Sequence, residues 1–145
     1  MRDVDQVRIV PFEELYRTRV IDLWKRCGLV RTWNDPDKDI DRKLSDRTGI
    51  FPLLVLEERV VGSVMASYDG HRGSVYYLGI DPEFRLHGLG HKLMAHCESY
   101  LTGLGCPKVD LFVRQGNEAV IRFYEQLGYT AETSVPLGKR LIADD

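Results

Sequence analysis

With 145 residues, 43% of them hydrophobic and 29% charged, the chain is long enough to bury a core without disulfide or metal staples and too apolar to stay disordered. Twenty Lys and Arg against 22 Asp and Glu leave a formal net charge of −2, which provides no long-range field for nucleic acid or an acidic membrane surface. No apolar run reaches the ~20 residues of a membrane-spanning helix.

The N-terminal Met1-Arg2-Asp3-Val4-Asp5-Gln6 has no apolar segment behind it that would make a secretory leader. Val7–Val10 alternates as a first strand. Beyond Pro11, the spacing of Tyr16, Val20, Leu23, Trp24 and Cys27 predicts an amphipathic helix, closed by Gly28. Trp33-Asn34-Asp35-Pro36 reads as a turn, and Asp37 to Arg47 as a short charged surface helix with Ile40 and Leu44 on one edge. Ile50–Leu56 and Val60–Tyr68 predict an antiparallel hairpin. Glu58-Arg59 is poor two-residue turn chemistry, so a longer loop is expected there. Asp69–Gly73 turns into a strand over Ser74–Ile80. After Asp81-Pro82 the period changes, and Leu89, Leu93, Cys97, Tyr100, Leu101 and Leu104 trace one helical face. Val109–Val113 predicts a strand, Asn117 an N-cap, and Val120, Phe123 and Leu127 a helix closed by Gly128. The tail from Tyr129 to Leu141 reads as an edge strand, demoted by Pro136 and Gly138, that offers itself for pairing in a homodimer. The fold class is α/β (α+β mixed sheet) in a single domain over residues 1–145. Cys27, Cys97 and Cys106, odd in number and widely spaced, read as reduced thiols of a cytoplasmic protein, and no spacing of His or Cys suggests a metal site.

Two segments carry chemistry. From Leu78 to Gly90 a strand ends, a loop with two glycines follows, and a helix begins. Backbone N–H groups of such a turn, with the positive end of the helix dipole and Arg85 and His87 beside it, suit a pyrophosphate. The competing reading is that Gly88 and Gly90 only permit a tight connection. Leu93 breaks a G-x-G-x-x-G pattern and no Gly-Lys-Ser/Thr follows a glycine at P-loop spacing, so dinucleotide-binding and P-loop sites are disfavoured. In the second segment, Asn117 and Tyr124 share a helix face with Ile121 between them. Taken by itself, Tyr124 reads as core packing.

Together, Arg85-x-x-Gly88-x-Gly90 at a helix start and Asn117-Glu118-Ala119-Val120-Ile121-Arg122-Phe123-Tyr124-Glu125-Gln126-Leu127-Gly128-Tyr129 in the next helix resemble the GNAT family of N-acetyltransferases. Trp33–Pro36, Tyr68–Gly73, Tyr76–Gly79 and Leu137–Leu141 look like the YpeA branch of small bacterial members. The resemblance implies a central, mostly antiparallel sheet splayed at the cofactor site, with flanking helices. It implies acetyl-CoA as co-substrate, its pantetheine arm held by main-chain groups of Leu78, Gly79 and Ile80. The pyrophosphate would be cradled by Arg85, Leu86, His87, Gly88, Leu89 and Gly90. Asn117 would help hold the arm, and Tyr124 would protonate the departing thiolate. The amine, on a small molecule or a peptide, would attack the thioester directly in a ternary complex. Trp33, Asn34, Asp35, Asp69 and His71 are the candidate acceptor-side residues, with Asp35 placed to attract a cationic amine.

The general base is open between Glu83, Asp69, His71 and water. The branch that acetylates ribosomal-protein N-termini has a glutamate two residues before the Arg of its Val-Arg-x-x-Asn, where this chain has Phe112. That missing carboxylate keeps an alternative in view, a non-catalytic acyl-CoA-binding or regulatory module. Leu86 stands where the family often has glycine, and it would be strained if the loop required a positive φ there.

Overall fold

The computed structural model describes residues 4–145; Met1–Asp3, the head of the segment inspected for a leader, lie outside the described residues. Strands β1 (Arg8–Pro11), β2 (Pro52–Leu56), β3 (Arg59–Tyr68), β4 (Gly73–Ile80) and β5 (Val109–Asp110) form one sheet in sequence order. The first three pairings are antiparallel, and β4–β5 is parallel. Helices α1 (Arg17–Arg26) and α2 (Pro36–Leu44) cover one face, α3 (Leu89–Gly103) and α4 (Glu118–Gln126) the other.

Both faces being covered explains why β2 and β3 read as nearly unbroken apolar runs. Leu53, Val55, Val60 and Met65 pack with Val20, Leu23, Trp24 and Ile40 on the α1/α2 side. Leu54, Val61, Val64 and Val75 pack with Leu93, Met94, Cys97, Leu101 and Tyr124 on the α3/α4 side. Helix α1 ends in a Schellman arrangement: Gly28, at φ 69°, donates its N–H to Lys25 O, and Leu29 donates to Trp24 O.

The structure departs from the sequence reading in four places. Helix α2 begins at Pro36 rather than after it, because Asp35 caps it: Oδ1 accepts the N–H groups of Asp37 and Lys38, and proline is tolerated at a first helical position. The β2–β3 loop is only two residues, since Leu56 pairs with Arg59, and Glu57 takes φ 56° to close it. Strand β5 stops at Asp110 instead of Val113. Residues 130–145 form no strand; they are tied down by side chains instead. There Asp144, its side chain without exposed surface, accepts from Asp35 N–H and forms ion pairs with Arg42 and Arg140, and Arg140 donates to Asn34 Oδ1.

Candidate active site

Strand β4 is where the sheet becomes irregular. Met65 pairs with Tyr76 and Ser63 with Gly79, so Tyr77 and Leu78 together stand opposite Val64 alone. This bulge places Tyr77 at φ 55°. Three contacts hold it in that strained conformation. The Tyr77 ring stacks on Trp24 with centroids 3.8 Å apart. Its carbonyl accepts a 2.9 Å hydrogen bond from the Ser63 hydroxyl, which itself accepts from the Trp24 indole N–H at 2.9 Å. Its own hydroxyl donates to Asp39 Oδ2 at 2.6 Å.

On its other side β4 is paired with β5 only at Gly73–Val109 and Ser74–Asp110. From Val75 onward the two strands share no ladder, which leaves the main chain around Leu78 without a strand partner on that side. Gly79 is closely packed, since a Cβ there would lie 3.0 Å from Leu29 and 3.2 Å from Cys27. The Ile80 carbonyl accepts from Arg85 Nε at 3.1 Å, so Arg85 braces the strand end.

The turn that follows begins with Asp81, buried, which caps the short 3-10 turn Pro82–Phe84 and pairs with Arg26 and Arg59. Leu86 lies at φ 67° and Gly88 at φ 76°, so the loop winds twice through the left-handed region before α3 starts. The Leu86 side chain is fully exposed and its neighbours Arg85, His87 and Gly88 are exposed, while Leu89, the first residue of α3, is buried. Gly90 has a packing reason of its own: a Cβ would sit 3.0 Å from the Phe123 ring.

Tyr124 is buried on α4, edge-to-face with Phe123 and Tyr129. Burial, with Cys97 nearby, pushes its phenol up to about 12, so it stays protonated at neutral pH. Asn117 precedes α4, but its side chain makes no cap hydrogen bond and stays exposed. The three thiols are packed or hydrogen-bonded. Burial pushes Cys97 up to about 12 and raises Cys27, whose thiol donates to Ile80 O; the Cys106 thiol donates to Lys108 O.

A cleft of about 540 Å³ opens on the α1/α2 face against the bulge. Tyr76, Tyr77, Met65 and Ser67 form its floor, with Leu29, Arg31 and Asn34 from the α1–α2 loop, Asp39, Arg42, Lys43 and Asp46 from α2 and its end, and Arg114 from beyond β5. Of the expected acceptor-side residues, Asn34 lines it. Trp33 is 53% exposed and is covered by the Arg114 guanidinium, 5.4 Å from the ring centroid, at the same mouth. Asp35 is the α2 cap. Asp69 closes its own turn by accepting from His71 and Arg72 N–H, and neither it nor His71 lines the cleft. Glu83 pairs with Arg59 away from the cleft. Sequence reasoning missed Arg31, Asp39, Arg42, Lys43 and Arg114. The visible signal was that Asp39, Arg42 and Lys43 recur at helical spacing beside Ile40.

This geometry coincides with clear kinship. The model of the acetyltransferase (GNAT) family matches residues 13–129. The chain is 50% identical over 125 residues to an acetyltransferase of Pectobacterium atrosepticum, spanning 86% of this chain and 89% of that one. It is 47% identical over 133 residues to an acetyltransferase of Yersinia enterocolitica, spanning 92% and 94%. Among solved structures, an aminoglycoside N-acetyltransferase in complex with the bisubstrate analogue CoA-S-monomethyl-acetylneamine shares the fold with a TM-score of 0.77 and 17% identity, over 92% of this chain and 98% of its own. The chain belongs to the GNAT family of acetyltransferases. It is an enzyme, an N-acetyltransferase, and the non-catalytic module gives way to that reading. Among the described residues, no helix is long and apolar enough to cross a membrane.

Proposed function

We propose that the protein transfers an acetyl group from acetyl-CoA directly to an amine, both substrates being bound at once. The observation that carries this is the parting of β4 from β5 after Ser74–Asp110, which leaves the outer edge of β4 without a strand partner. On the α3/α4 face Tyr124 shares a core with Leu78 and Ile80 of that strand, and the left-handed turn at Leu86–Gly88 follows its end; on the α1/α2 face the cleft is lined by Tyr76 and Tyr77 of the same strand. The residues fit CoA: exposed backbone at Arg85–Gly88 leads into a 15-residue helix whose N-terminus favours phosphate, and the unpaired edge of β4 suits an amide-bearing arm. That a protein of the same fold is solved with a CoA-containing bisubstrate analogue supports CoA as the co-substrate.

In this mechanism Leu78 and Ile80 hold the arm through main-chain groups, with Gly79 keeping the strand close to α1. Residues Arg85, Leu86, His87, Gly88, Leu89 and Gly90 form the pyrophosphate turn, and Asn117, free of a capping bond, reaches the arm. A backbone N–H near Leu78, fixed by the Tyr77 bulge, stabilises the oxyanion that develops on the thioester carbonyl. The amine nitrogen attacks the carbonyl carbon, the C–N bond forms and the C–S bond breaks. Tyr124 gives its proton to the departing thiolate, and the amine proton leaves through water in the cleft. With every thiol buried or hydrogen-bonded, no acyl-enzyme is required. Initial-rate patterns that intersect, rather than run parallel, are expected. Tyr124→Phe should lower kcat by about 100-fold, the size of a positioned acid, with the Kd for acetyl-CoA unchanged by calorimetry. Full turnover by that variant would remove Tyr124 from the acid role.

A further inference from the structure

The charges of the cleft do not cancel. Its lining has four cations, Arg31, Arg42, Lys43 and Arg114, and two carboxylates, Asp39 and Asp46. Both carboxylates are engaged. Asp39 accepts from Tyr77 and pairs with Arg42, and Asp46 pairs with Lys43 at 2.8 Å. Arg42 also meets Asp144 at 2.7 Å, and the Lys43 ammonium donates to Ala66 O at 2.7 Å. Arg31 and Arg114 have no carboxylate partner among the described residues. Arg31 is held by the carbonyls of its own loop, Gly28 O at 2.6 Å and Val30 O at 3.4 Å, and Arg114 by the Trp33 ring. Two immobilised guanidiniums thus face a cleft in a protein whose overall charge is −2. Their positive field is local to the site rather than inherited from composition.

We infer that the acceptor is an amine that also carries a carboxylate, recognised by Arg31 and Arg114, and not a polycation. This rests on the transferase reading of the cleft and narrows it. Guanidinium presents paired donors that match a carboxylate, and a polyamine or aminoglycoside would enter against like charge. The bond changes are those already given: C–N forms, C–S breaks, Tyr124 protonates the thiolate and water takes the amine proton.

The test compares standard L-amino acids with their carboxamides, alongside spermidine and kanamycin, as acceptors of acetyl from acetyl-CoA. For at least one pair the acid should be turned over with kcat/KM about tenfold or more above its carboxamide, the scale of one charge-assisted contact. Arg31→Gln and Arg114→Gln, on separate loops, should each narrow that preference by about the same factor, chiefly through KM of the acid. Preference for carboxamides or polycations, or an acid preference intact in both variants, would overturn the inference. Calorimetry with N-acetylated amino acids and their carboxamides, which needs no transfer, separates the two failures. Binding of the acids that weakens in both variants without any turnover would sink the cleft's role as the acceptor site and leave the anion site standing. Equal binding of acids and carboxamides would sink the anion site alone.

Discussion

Leu86 is the residue whose backbone and side chain disagree most openly. It sits at φ 67°, a region where a Cβ costs roughly 1–2 kcal/mol, and its side chain is wholly in solvent, so packing returns nothing. Leu86→Gly should therefore raise stability by about 0.5–1 kcal/mol after the extra freedom of glycine in the unfolded chain is subtracted. A higher urea midpoint at unchanged slope would show it, and a fall would mean that the leucine is held by something other than sterics. The sequence made the strain conditional: Leu86 stands where the resemblance often puts glycine, and the positive φ that would strain it is the one observed. The roles of Asp35 and Asp69 were not legible. A short acidic side chain in a turn reads equally as a ligand for a cation and as an acceptor for its own backbone, and here the backbone takes both.

Among the elements, β4 does most to shape the site. Its bulge depends on a buried relay from the Trp24 indole through the Ser63 hydroxyl to the Tyr77 carbonyl. Ser63→Ala would strand a buried donor and a buried acceptor, each costing about 1–3 kcal/mol. A loss of about 2–6 kcal/mol is expected on that basis, measured by denaturation, together with a fall in kcat larger than any change in KM for acetyl-CoA as the Leu78 N–H loses its aim. Unchanged stability would mean that water or a rotated neighbour satisfies both groups. The elements themselves were readable wherever periodicity was strong: α1, α3, α4, β3 and β4 fall within a few residues of their expected ranges. The tail was not, because Val135, Leu137, Leu141 and Ile142 imitate a strand's apolar content while the structure leaves them exposed and fastens the segment through Arg140 and Asp144. Nor was the cleft, whose walls come from the α1–α2 loop, α2, β3, β4 and the segment after β5. Which faces meet is decided by packing at long range.

At the scale of the whole molecule, titration frames a window of stability. Tyr124 and Cys97 are both pushed up to about 12 by burial, so the native state keeps protons that the unfolded chain releases above ordinary thiol and phenol values. Their contribution is complete below about pH 8.5 and is lost as pH rises beyond it. At the acid end, Asp81 and Asp144 are lowered. Hydrogen bonds from the Glu83 N–H and the guanidiniums of Arg59 and Arg26 hold Asp81 down against its burial, and Arg42 with the Asp35 N–H does so for Asp144. Their contribution is present above the usual carboxylate range and is lost as pH falls through it. Urea melts should show a plateau between about pH 5 and pH 8 with declines on both sides; because Asp144 is held well below the usual carboxylate range, its clasp should outlast the onset of the acid decline, and proteolytic cleavage within 130–145 should lag the loss of stability. Cleavage that keeps pace with the acid decline from its start would show that the tail is not held by the Asp144 carboxylate.

The two tryptophans divide the molecule's light between them. Trp24 has no exposed surface and lies against Tyr77, whereas Trp33 stands half open under a guanidinium at the mouth of the cleft. An iodide quencher should reach Trp33, drawn there by Arg114, and spare Trp24, so the quenchable part of the intrinsic fluorescence gauges occupancy at the cleft mouth. The shielded part reports independently on whether the sheet beneath remains intact.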